Sequence, residues 1–89
     1  MKHVEIYTVD YCPYCTRAKE ILTEKGIPFK EIDITDNENE YREKLAEFYK
    51  IEQRVTVPQI IIGGERIGGL DNLEALIAEG KLDDILNQE

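Results

Sequence analysis

The chain has almost no histidine, little positive charge, and no apolar run of the roughly 18 residues that a membrane-spanning helix requires. Its one histidine, His3, and its two cysteines fall short of the four ligands of a zinc site. His3 also lies across a strand from the cysteine pair, so no metal is expected within one chain. Eleven basic residues against nineteen acidic ones leave a net charge of −8. That argues against a nucleic-acid partner, because such proteins normally present a basic face. The opening residues, Met1-Lys2-His3-Val4-Glu5, are polar and run directly into a strand pattern. No signal peptide and no membrane partner are therefore expected, and a cytoplasmic location is. Repeats, linkers and low-complexity segments are missing too, so residues 1–89 are expected to form a single domain.

What the chain does have is concentrated in Tyr11-Cys12-Pro13-Tyr14-Cys15, which holds both cysteines. A strand pattern precedes it and a helix pattern follows it. Proline suits the first helical position, where its missing N–H is not needed. Cys12 then falls at the N-cap, facing free N–H groups and the positive end of the helix dipole, and both favour a thiolate. Cys15, one turn further in, can bridge to it and is read as the resolving partner. A static disulfide across so short a loop would remove little entropy from the unfolded chain. In a reducing compartment such a pair is more often catalytic than structural.

In order, a strand is expected at His3 to Thr8, then a helix to about Lys25 with Cys15, Ala18, Ile21 and Leu22 on one face. Gly26 suits the left-handed position past its end, and Pro28 prevents continuation. Phe29 to Ile34 reads as a strand with one buried face. Asn37 and Glu40 form a capping-box pattern for a second helix, whose apolar stripe is Tyr41, Leu45, Phe48 and Tyr49. Gln59 to Ile62 and Glu65 to Gly68 read as a hairpin around the turn Gly63-Gly64. Asp71, with Glu74 three residues on, is expected to cap a third helix with Leu73, Leu76 and Ile77 buried and Gly80 at its end. Lys81 to Leu86 suits one more short helical turn. The order is βαβαββα, an α/β domain with a mixed sheet. Locally, Pro58 fits a cis bond or an ordinary strand-start proline equally well. Free N–H groups near Asp71 would suit a carboxylate.

Three separated pieces, Cys12-Pro13-Tyr14-Cys15, Thr56-Val57-Pro58 and Gly68-Gly69-Leu70-Asp71, together resemble a dithiol glutaredoxin of the thioredoxin-fold superfamily, and the resemblance spans essentially the whole chain. It implies a four-stranded mixed sheet flanked by helices. It also implies reduction of protein disulfides and glutathione mixed disulfides, with Cys12 as nucleophile, Cys15 as resolving thiol and glutathione as co-substrate. No tightly bound cofactor is expected, and the protein is expected to be a monomer. The resemblance makes Pro58 cis, with Thr56 and Val57 beside it and the Val57 backbone pairing with glutathione in the manner of strand addition. Asp71 and Asn72 would hold the γ-glutamyl end, Arg54 the glycine carboxylate, and Tyr14 would pack near the sulfur.

Val9 departs from the pattern. Glutaredoxins usually carry lysine there, and here Asp10 follows as well, which disfavours the thiolate. The departure keeps open a glutaredoxin-like electron donor to ribonucleotide reductase, fed by thioredoxin reductase. An iron–sulfur or metal carrier is the more distant alternative, opposed by Pro13 and Cys15.

Overall fold

The structure is a computed structural model and describes residues 1–88; Glu89, the last residue of the expected domain, lies outside the described residues. Four strands are present: β1 (Val4–Thr8), β2 (Lys30–Asp33), β3 (Gln59–Ile62) and β4 (Glu65–Gly68). They form one sheet in the order β2-β1-β3-β4, with β1 parallel to β2 and antiparallel to β3, and β3 antiparallel to β4. This is the mixed sheet expected from the element order, with the four strands that the family resemblance implies. The helices are α1 (Pro13–Glu24), α2 (Glu38–Tyr49), α3 (Leu70–Ala78) and α4 (Leu82–Asn87). None of them is long and apolar enough to cross a membrane.

Alternation along β1 sorts the two faces of the sheet. Val4, Ile6 and Thr8 are buried, while Glu5 and Tyr7 are half-buried on the other side. Val4, Ile6, Ile60 and Ile62 pack with Ala18, Ile21 and Leu22 of α1, Leu73 of α3, and Leu82 and Leu86 of α4. Full burial of a side chain such as Leu22 stabilises the fold by about 1.5–3 kcal/mol. On the opposite face Tyr7 meets Tyr41 of α2 with ring centroids 6.3 Å apart.

Local chemistry fixes the element ends. Past α1, Gly26 has φ +71°, and its N–H donates to the Thr23 carbonyl at 3.0 Å. Gly63 and Gly64 both have positive φ, as a two-residue hairpin turn needs. An irregularity between Ile60 and Ile61 places Ile60 opposite Gly68 and Ile61 opposite Arg66, so β4 bends just where it enters α3.

Two expectations for the second helix fail. Asn37 is at the N-cap position, but its side chain caps nothing. A 3-10 turn (Thr35–Asn37) leads into the helix instead, and just before it Asp33 accepts from the Thr35 N–H at 2.9 Å. Glu40, the expected box partner, pairs with Lys44 at 3.0 Å. The apolar stripe is also narrower than its spacing suggests. Leu45 is buried and Tyr41 and Tyr49 are half-buried, but Phe48 is 75% exposed, edge-on to Tyr49 with centroids 4.8 Å apart.

Candidate active site

The candidate site is built where β1 gives way to α1. Cys12 is the N-cap, with extended backbone (φ −106°, ψ 108°), and Pro13 takes the first helical position. The Cys12 Sγ accepts a hydrogen bond from the Cys15 N–H at 3.1 Å, so the sulfur itself caps the helix. On its other side it lies 3.7 Å from the Val57 carbonyl oxygen, to which the thiol donates. Cys12 is half-exposed and Cys15 is 1% exposed, so only one of the two free thiols is open to a reactant. Burial, followed by the hydrogen bond with Cys12, pushes the Cys15 thiol up to about 12, opposed by the Val9 backbone and by Lys19. Cys15 is thereby kept as a protonated thiol beside the open sulfur.

Facing Cys12 is the loop before β3. The Val57–Pro58 peptide bond is cis, as the family resemblance implied. Pro58 is buried and Thr56 exposed; the Thr56 carbonyl accepts from Gln59 Nε2 at 2.8 Å. The start of α3 lies against this loop, since a side chain at Gly69 would meet the Pro58 carbonyl oxygen at 3.4 Å. Cys12, Val57, Pro58 and the α3 N-terminus thus form one continuous patch.

Asp71 is not the N-cap of α3. Gly69 holds that place, and Asn72, three residues on, accepts the Gly69 N–H through Oδ1 at 3.0 Å. The expected Asp71–Glu74 box does not form, because α3 starts two residues before Glu74's box partner would require. Asp71 is exposed in the first turn, where a carboxylate still suits the helix dipole. Asn72 is therefore both an expected site residue and the actual cap. Tyr14 is 67% exposed on α1. Arg54 is exposed at the rim of a polar recess shared with Asp36, Glu38 and Glu40, and it forms no ion pair among the described residues. Neither Tyr14 nor Arg54 is held against Cys12 by a hydrogen bond.

Val9, considered from sequence as a missing positive charge, is 3% exposed and belongs to the packed interior. Sequence reasoning missed Tyr11, Glu38 and Arg42. The Tyr11 hydroxyl donates to the Glu38 carboxylate at 2.6 and 2.7 Å, and Glu38 pairs with Arg42 at 2.6 Å. The one available signal was the i,i+4 spacing of Glu38 and Arg42; nothing local links either residue to Tyr11.

The chain matches the family model described as Glutaredoxin over residues 4–67. It is 49% identical to Glutaredoxin 3 of Escherichia coli strain K12 over 86 residues, covering 97% of this chain and 99% of that one. It resembles the solution structure of glutaredoxin from Brucella melitensis at 48% identity with a TM-score of 0.80, covering 97% of this chain and 89% of that one. The buckwheat glutaredoxin–glutathione complex is matched at 31% identity with a TM-score of 0.83, over 96% of this chain and 76% of that one. With an open sulfur capping α1 and a buried thiol one turn away on this sheet, the chain belongs to the glutaredoxin family, thiol–disulfide oxidoreductases of the thioredoxin-like fold.

Proposed function

We propose that this glutaredoxin reduces glutathione mixed disulfides and protein disulfides with glutathione as electron donor, Cys12 acting as nucleophile and Cys15 as resolving thiol. The observation that carries this reading is the asymmetry of the pair. Cys12 is reachable and receives a helix N–H, whereas Cys15 is buried and held as a thiol. That division supports one attacking sulfur and one kept in reserve.

The exchange runs as follows. The Cys12 thiolate attacks the glutathione sulfur of a glutathionylated protein. A Cys12–glutathione disulfide forms, the old S–S bond breaks, and the protein thiolate leaves and takes a proton from water. A second glutathione thiolate then attacks the bound glutathione sulfur, giving glutathione disulfide and restoring the Cys12 thiolate. With a protein disulfide, Cys12 forms the mixed disulfide and releases one protein thiol. Cys15 attacks the Cys12 sulfur and its proton passes to the departing protein thiolate, releasing the second thiol and leaving Cys12–Cys15 oxidised. Two glutathiones reduce that bond.

Glutathione would lie over Tyr14, its cysteine backbone pairing with Val57 beside Thr56 and Pro58. Its γ-glutamyl end would sit at the α3 N-terminus by Asp71 and Asn72, and its glycine carboxylate near Arg54. The partners are glutathione and disulfide-bonded or glutathionylated proteins, met by a monomer in the cytoplasm. The buried Val9 in place of the family's lysine favours a second reading: an electron donor to ribonucleotide reductase, fed by thioredoxin reductase. A coupled assay offering either glutathione with its reductase or thioredoxin reductase separates the two. Turnover with glutathione alone supports the first reading, and turnover only with thioredoxin reductase contradicts it.

A further inference from the structure

Between the two walls of the site runs a chain of polar contacts that the exchange steps do not use. Tyr11 immediately precedes the nucleophile, and its hydroxyl donates to both oxygens of Glu38 at 2.6 and 2.7 Å. Glu38 opens α2 and pairs one turn on with Arg42 at 2.6 Å. Arg42 in turn donates through Nη1 to the Val55 carbonyl, two residues before Val57. Three side chains thus join the turn that carries Cys12 to the loop whose backbone faces its sulfur.

Shielding strengthens the Glu38–Arg42 end of this chain, while the Tyr11–Glu38 bond lies at the surface. The Glu38 and Arg42 side chains are 21% and 12% exposed, against 61% and 66% for the open Glu40–Lys44 pair on the same helix. Charge-assisted bonds shielded in this way are roughly twice as strong as neutral ones. The Tyr11 residue is itself 64% exposed, so its hydroxyl holds it in place rather than packing. The Glu38 carboxyl is kept below the usual range first by the Tyr11 hydroxyl, and the Tyr11 phenol is raised first by Glu38, so the two directions agree.

We propose that Tyr11, Glu38 and Arg42 form a positioning strap that sets the spacing between the Cys12 sulfur and the Val57 backbone, and so governs how well the backbone of glutathione docks. The proposal rests on Val57 pairing with glutathione. These residues touch no reacting atom; they hold the two surfaces that do. Displacing a docking surface by about an ångström can slow a reaction by as much as about 10²-fold.

The test compares reduced wild-type protein with Tyr11→Phe, Arg42→Lys and the double variant. Arg42→Lys keeps the charge but loses the planar fork that reaches two partners. Second-order rates are measured with glutathione disulfide and with bis(2-hydroxyethyl) disulfide, which has no peptide backbone to dock. Each single variant should lose about threefold to tenfold with glutathione disulfide and change by less than about twofold with the other. The double variant should be no slower than the slower single variant, because one strap is cut only once. Undiminished rates, equal losses on both disulfides, or losses that multiply would each overturn the strap. A wild-type protein that does not favour glutathione disulfide over the backbone-free one would overturn the Val57 reading and the strap together; unaffected variants of a selective wild type would overturn the strap alone.

Discussion

Cys15 carries a proton that the fold protects. Burial, then the hydrogen bond to Cys12, pushes its thiol up to about 12, against about 8.5 for a cysteine in an unfolded chain. A group whose pKa is raised on folding contributes stability in full below the unfolded value. That contribution is lost as pH rises from about 8.5 towards about 12, where the unfolded chain sheds its proton first. Reduced wild-type protein should therefore lose more stability between pH 7 and pH 10 than Cys15→Ala does, measured by urea unfolding with reductant present. Parallel losses would show that burial does not hold this proton. Val9 makes the opposite case, a position where charge is kept out. Because it is 3% exposed, Val9→Lys must bury an ammonium or pull its stem to the surface. A loss of about 2 kcal/mol, or about 10 °C in melting temperature for a domain of this size, is expected. Unchanged melting with faster glutathione turnover would show instead that the site lacks a positive charge.

At the scale of elements, the site depends on how β4 turns into α3. Gly68 has φ +118°, and a side chain there would collide with Asn72 Oδ1, the atom that caps α3. Gly68→Ala should strain the backbone and break the cap, costing about 1–3 kcal/mol. Asn72→Ala, which removes the cap alone, should cost about 1 kcal/mol. Chemical denaturation of both variants checks the order, and an Asn72 variant as unstable as the glycine one would refute it. What could be read from sequence follows the range of the forces involved. The Cys12 cap, the Gly26 stop and the Gly63-Gly64 turn are settled by neighbours within a few residues, and they were legible. The α3 cap is not legible because Asp71 and Asn72 are both good capping residues, and the N-cap falls on Gly69, which has no side chain to signal it, with Asn72 reaching back to its N–H. Periodicity located the inner face of α2 but not its width, which is why Phe48 remains outside. Tyr11 and Glu38 are 27 positions apart, and no local pattern encodes a polar contact at that distance.

At the scale of the whole molecule, a net charge of −8 meets a co-substrate that is itself anionic. Long-range repulsion should slow their encounter at low salt and be screened as the Debye length shrinks. The rate with glutathione disulfide should therefore rise, by about twofold to threefold, between roughly 10 and 150 mM salt. A falling rate would mean that the attraction of Arg54 outweighs the charge of the rest. Whether one sulfur attacks and the other is held in reserve is decided by mass spectrometry of the two single-serine variants after brief exposure to glutathione disulfide. Cys15→Ser should capture one glutathione on Cys12 and still reduce glutathione mixed disulfides while losing most protein-disulfide reduction. Cys12→Ser should remain unmodified over the same time and show no exchange. Comparable capture of glutathione by Cys15 in the Cys12→Ser protein would contradict the division of roles.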